Sequence, residues 1–97
     1  MADSRVTRNE AQSRYELSVD GSLAQLVYRE RGDRLELVHT EVPDELGGQG
    51  IGGELARYAL DDALARDLTV VPYCPFVRSW LEKHTDIAER QPIAWPN

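Results

Sequence analysis

Three short stretches of this 97-residue chain carry the residue types that do chemistry: "HTEV" at 39–42, "GGQGIGG" at 47–53 and "CPF" at 74–76. An imidazole exchanges its proton close to neutral pH, which makes His39 a candidate general base. Cys74 precedes a proline that suits the first position of a helix, and a helix N-terminus favours the thiolate. Cys74 is therefore a candidate nucleophile, or an acid for a departing thiolate. The competing readings are a hydrogen-bonded strand histidine and a small buried hydrophobe. Glu41 is either a carboxylate base or a solvated strand-end acid. The middle stretch holds five of the seven glycines. A glycine-rich turn that opens a helix aims several unpaired backbone N–H groups at one point, at the positive end of the helix dipole. Such a turn suits phosphate or pyrophosphate.

Two common phosphate-binding motifs are excluded by the flanking residues. A P-loop places Lys and then Ser or Thr after its last glycine, whereas Glu54 follows Gly53. A dinucleotide fold would use Gly48, Gly50 and Gly53 as G-x-G-x-x-G. It needs them tight against a strand, with an acid ending the next strand. Here residues 43–46 intervene, and the next strand ends in "VVPYC". The pair Asp61–Asp62 reads as a wet helix face rather than a metal site, since no histidine or third acid is placed to join it.

The elements that must position these residues are legible from periodicity. "YELSV" alternates Tyr15, Leu17 and Val19 against polar neighbours, as a half-buried strand does. Asp20–Gly21 is a tight-hairpin signal, and "LAQLVYRE" and "RLELVHTEV" follow as further strands joined through "RGD". Short turns make these three an antiparallel meander. From Gly50 to about Arg66 the period changes. Ile51, Leu55, Ala59 and Ala63 recur every four beside Ala56, Leu60 and Leu64, giving a broad helical stripe. "DLTVVPY" then reads as a strand, parallel to the third by a right-handed crossover. "PFVRSWLEKH" reads as a second helix, with Phe76, Val77, Trp80 and Leu81 on its core face. The first dozen residues are polar, with a short edge strand possible at "RVT", and "QPIAWPN" is irregular. The expectation is one α+β domain over 1–97, β-β-β-α-β-α, with 1–12 and 88–97 peripheral. Unbulged alternation puts His39 on the face of Leu35 and Leu37.

Bulk properties limit the partners. The formal charge is −6, which argues against nucleic acid and anionic membrane surfaces. No apolar run approaches the roughly 20 residues that span a bilayer, and the N-terminus has no signal-peptide core. The single cysteine fits a reducing compartment, so a cytoplasmic protein is expected.

The run "HTEVPDELGGQGIGGELARYALDDAL" followed by "VVPYCPFVRSWLEKH" resembles the minimal members of the GNAT (GCN5-related N-acetyltransferase) superfamily, from about Tyr15 to His84. That family's pyrophosphate motif is Arg or Gln, two residues, Gly, one residue, Gly or Ala. Gly50, Ile51 and Gly52 match its last three places, while Gly47 stands where Arg or Gln is usual, a place that varies in the minimal group. The resemblance implies acetyl-CoA as co-substrate and no metal. It implies pyrophosphate on Gly48, Gln49, Gly50, Ile51, Gly52 and Gly53, pantetheine contacts from the backbone of Glu41 and Val42, and a thioester near His39, Val42 and Cys74. The acceptor would be an amine, free or on a protein, and the chain a monomer or weak dimer. Many members place a tyrosine acid in the last helix; residues 75–84 contain none. The alternative reading is a module that binds CoA or acetyl-CoA without robust catalysis. Larger members wall the acceptor site with extra N-terminal helices that this chain lacks.

Overall fold

The computed structural model describes residues 5–96. Five strands form one sheet in the order β1-β2-β3-β4-β5. They are β1 (Thr7–Asn9), β2 (Arg14–Val19), β3 (Ser22–Arg31), β4 (Arg34–Glu41) and β5 (Thr69–Pro72). The first four are antiparallel neighbours, and β5 runs parallel to β4. Helix α1 (Ile51–Ala65) makes the crossover between β4 and β5, α2 (Pro75–Lys83) follows β5, and α3 (Thr85–Arg90) follows α2.

The meander forms because its strands alternate. Tyr15, Leu17, Ala24, Leu26, Tyr28, Leu35 and Leu37 are buried on one face. On the other, Arg14 donates to Glu16 within β2 and to Gln25 on β3, Gln25 donates to Glu41 on β4, and Arg29 donates to Glu36 on β4. Helix α1 covers the apolar face with Leu55, Ala56, Ala59, Leu60 and Ala63, and α2 adds Val77 and Leu81 to the same core. Each leucine so buried contributes about 1.5–3 kcal/mol.

Four features differ from the pattern read off the sequence. The short edge strand is real but lies at Thr7–Asn9, pairing with Arg14–Glu16. Residues 85–90, to which the sequence pattern assigns no element and of which 88–90 are expected as peripheral, form α3. The tail is not wholly irregular. Ile93 lies parallel to Val70, Val70 N donates to Pro92 O (2.9 Å) and Ala94 N donates to Val70 O (2.9 Å). Asp62 is not on a wet face. It accepts the Tyr15 hydroxyl (2.8 Å) and Arg66 Nη2 (2.8 Å), with Arg8 Nη1 at 3.4 Å, while Arg66 Nη1 reaches Glu30 (2.9 Å). The helical period points Asp62 toward β2, where it accepts the hydroxyl of the fully buried Tyr15. Residues 1–4 and 97 of the expected peripheral segments lie outside the described residues.

Candidate active site

The site lies where β4 and β5 part. Their parallel pairing runs from Arg34 and Thr69 to Leu37 and Pro72. Leu37 O then accepts both Tyr73 N (3.0 Å) and Cys74 N (2.9 Å), and the chain turns into α2. Strand β4 continues along β3 as far as Glu41, so its other edge, from Val38 onward, borders a gap.

A bulge decides which side chains face that gap. Tyr28 opposes Leu37, but Val27 opposes His39, so Val38 is an extra residue in β4. An inserted residue reverses the alternation beyond it. Thr40, opposite the fully buried Leu26, therefore shares the helix-covered face with Leu35 and Leu37, and Thr40 Oγ1 stands 3.2 Å from Cys74 Sγ. His39 turns to the polar face and is exposed, which corrects the expectation drawn from unbulged parity. Glu41 is also exposed on that face and accepts Gln25 Nε2 (3.0 Å). The structure thus joins Cys74 to Thr40, and sets His39 and Glu41 across the plane of the sheet from them. Thr40 went unrecognised in the sequence. Val38 is as good a strand former as its neighbours, so nothing local marks the bulge.

The backbone has its own directionality. Tyr28 N donates to the carbonyl of Ser13, the residue before β2, so Val27 and Gln25 turn their amides toward β4, and they face His39 and Glu41. Alternation then directs the amides of Thr40 and Val42 to the gap. Glu41 contributes its backbone to the β3 ladder instead.

Cys74 is 3% exposed and caps the N-terminus of α2, with Pro75 at the first helical position, where a missing N–H costs nothing. The glycine turn lies after a short 3₁₀ segment, Asp44–Leu46, at the far end of the same gap edge. Gly48 (φ 79°) and Gly50 (φ 71°) take left-handed backbone with open space around them, so their glycine identity is conformational. Gly47 N bonds Asp44 O (3.0 Å) and Glu54 N bonds Gly50 O (3.1 Å). Between them, the N–H groups of residues 48–53 have no acceptor among the described residues. Six consecutive unpaired donors at a helix start have the chemistry of a candidate anion cradle. Gln49 is exposed beside it; Ile51 offers only its amide, its side chain being core. Gly52 and Gly53 lie under the rings of Phe76 and Trp80. Phe76, expected in the core, is 43% exposed because it packs on that bare helix turn. At the other end of α2, His84 stacks on Trp80 (centroids 3.9 Å apart) and its Nδ1 lies 2.7 Å from Trp80 O.

Among the described residues, no cluster of three His, Cys, Asp or Glu is placed to hold a metal, and no helix is long and apolar enough to cross a membrane. Residues 14–90 match the family model described as GCN5-related N-acetyl-transferase. The mouse protein NATD1 is 31% identical over 83 residues, 82% of this chain and 76% of its own length. Human NATD1 is 37% identical over 62 residues, 63% of this chain; the aligned stretch is 55% of the human protein and 56% of the chicken one. The NMR solution structure of a GCN5-like protein from Staphylococcus aureus superposes with a TM-score of 0.72 at 26% identity, covering 100% of this chain and 94% of that one. The family match spans the parted strands, the glycine turn and the cysteine-capped helix together, and the chain belongs to the GCN5-related N-acetyltransferase family.

Proposed function

We propose that this chain is an acetyl-CoA-dependent N-acetyltransferase that takes acetyl onto Cys74 and passes it to an amine. The observation that carries this reading is the placement of Thr40 and Cys74, 3.2 Å apart, on one gap whose edge also leads to the six unpaired amides. The amides of residues 48–53 fit the diphosphate of coenzyme A. Those of Thr40 and Val42 fit the pantetheine arm and the thioester carbonyl, where an N–H stabilises the charge that develops on oxygen.

In the first step the Cys74 thiol loses its proton to solvent and its sulfur attacks the thioester carbon. A new sulfur–carbon bond forms, the bond from that carbon to the coenzyme sulfur breaks, and coenzyme A leaves as a thiol after taking up a proton. Thr40 orients the Cys74 sulfur and donates to it when it is ionised. In the second step an amine entering the gap from the polar side of the sheet bonds to the acetyl carbon, the bond from that carbon to the Cys74 sulfur breaks, the amine's proton goes to His39, and the sulfur takes up a proton to regenerate the thiol. The acidic surface suits a cationic amine, free or on a protein, that gives up its proton on reaching the site.

The test is calorimetry with acetyl-CoA followed by intact mass and peptide mapping. Saturable binding and an acetyl group on Cys74 support the reading. No saturable binding at millimolar ligand sinks it. The exposure of His39 on the face away from Cys74 favours one alternative, a domain that binds acetyl-CoA without robust transfer. Binding without adduct, and without transfer to any of a panel of amines, decides for that alternative.

A further inference from the structure

Helices α1 and α2 meet where a side chain at Gly52 would have to displace the ring of Phe76. A methyl group on Gly52 would stand 2.7 Å from Phe76 Cζ and 3.0 Å from Cε2, well inside carbon–carbon contact at about 3.5–4.0 Å. Beside it, a methyl on Gly53 would stand 3.0 Å from Trp80 Nε1. Phe76 is two residues from Cys74, and the Cys74 end of α2 is itself fastened to β4, through Leu37 O and Thr40 Oγ1. The first turn of α2 is thus held between β4 on one side and the first turn of α1 on the other. The N–H of Gly52 belongs to the anion cradle. One aromatic ring therefore separates the turn that meets the diphosphate from the turn that carries the sulfur.

We infer that Phe76 is a positioning residue: seated on Gly52, its ring sets the distance between the anion cradle and Cys74. This rests on reading the site as an acetyl-CoA site. In that ligand a chain of limited reach joins diphosphate to thioester, so the cradle-to-sulfur distance must match it. A misplacement of about 1 Å costs a reaction on the order of 100-fold without needing to weaken binding. Gly52 is glycine for the ring above it, and its substitution acts through α2 rather than through the diphosphate.

A double-mutant cycle tests this, with wild type, Gly52→Ala, Phe76→Ala and the double variant. Three quantities are measured: the acetyl-CoA dissociation constant, the rate of acetyl appearance on Cys74 at saturation, and the rate of Cys74 alkylation by iodoacetamide. Thermal melts establish that each protein is folded. Gly52→Ala is expected to slow acetyl uptake about tenfold or more with the dissociation constant changed less than about threefold. In the Phe76→Ala background the same substitution is expected to change uptake less than about twofold, because the obstructing ring is gone. An equal loss in both backgrounds overturns the inference, as does a Gly52→Ala defect confined to affinity. If Gly52→Ala does not fold, Phe76→Leu and Phe76→Ala decide: slower uptake at near-constant affinity supports the ring's role, and wild-type rates in both overturn it. If the wild type binds no acetyl-CoA, the proposed function fails and alkylation alone decides. A Gly52→Ala effect on Cys74 alkylation that disappears without the ring supports the coupling, and equal alkylation in all four proteins overturns it.

Discussion

At the scale of single residues, the site turns on which of two neighbours in β4 meets the sulfur. Thr40 does, at 3.2 Å from Cys74 Sγ, and His39 lies on the opposite face. Thr40→Val keeps the shape of the side chain and removes the hydroxyl. A hydrogen bond to a charged group is worth about 1.5–3 kcal/mol, so acetylation of Cys74 should slow about tenfold or more while acetyl-CoA affinity stays within about twofold. Stopped reactions analysed by intact mass give the first number and calorimetry the second. An unchanged rate removes Thr40 from the mechanism. His39→Ala should separate the two steps. General-base assistance contributes about 100-fold or more, so transfer from acetyl-Cys74 to an amine should fall by that order with acetyl uptake retained. A loss of acetyl uptake in His39→Ala would show instead that the imidazole serves the sulfur side.

At the scale of elements, the seven residues of "GGQGIGG" divide by physical cause. Gly48 and Gly50 have open space around them and left-handed backbone, whereas Gly52 and Gly53 have ordinary backbone and rings overhead. Left-handed backbone costs an L-residue with a Cβ about 1–2 kcal/mol, and asparagine tolerates it better. Gly50→Ala should therefore lower unfolding free energy by about 1–2 kcal/mol and Gly50→Asn by less, measured by urea titration. Equal losses for the two would argue that space, not φ, constrains the site. The same contrast explains what could be read in advance. The meander, the α1 stripe and the βαβ order follow from periods of two and about 3.6, and these are local. The left-handed glycine turn that opens α1 followed from glycine density before a helical stripe. What stayed hidden depends on partners far along the chain. Val38 becomes a bulge only against β3, and Phe76 leaves the core only because a bare turn of α1 receives its ring. Asp62 leaves the wet face because Tyr15, Arg8 and Arg66 converge on it. In each case a correct local pattern was overridden by a long-range contact.

At the scale of the whole molecule, the end of α1 away from the cradle is tied to the sheet by a polar cluster that makes stability depend on alkaline pH. The Tyr15 hydroxyl donates to Asp62, which Arg66 also holds, and Arg66 reaches Glu30 on β3. Burial raises the Tyr15 phenol far above its ordinary range, the Asp62 hydrogen bond and charge raise it further, and Arg66 partly opposes them. Tyr28 is raised as well, mainly by burial. An unfolded tyrosine titrates near pH 10. Both phenols keep their protons in the folded chain at pH values where the unfolded chain gives them up. Their contribution is therefore fully present below about pH 10 and is lost as the pH rises beyond it. Unfolding free energy should fall above pH 10, with Tyr15 contributing a slope approaching about 1.4 kcal/mol per pH unit. Tyr15→Phe removes one of the two phenols. It should cost about 1 kcal/mol at neutral pH through the lost hydrogen bond, and it should flatten the alkaline slope. Urea titrations from pH 9 to about 11, with tyrosinate absorbance followed in parallel, give both quantities. A Tyr15→Phe variant that keeps the full wild-type slope would mean that the cluster holds α1 to the sheet without linking its stability to the Tyr15 proton.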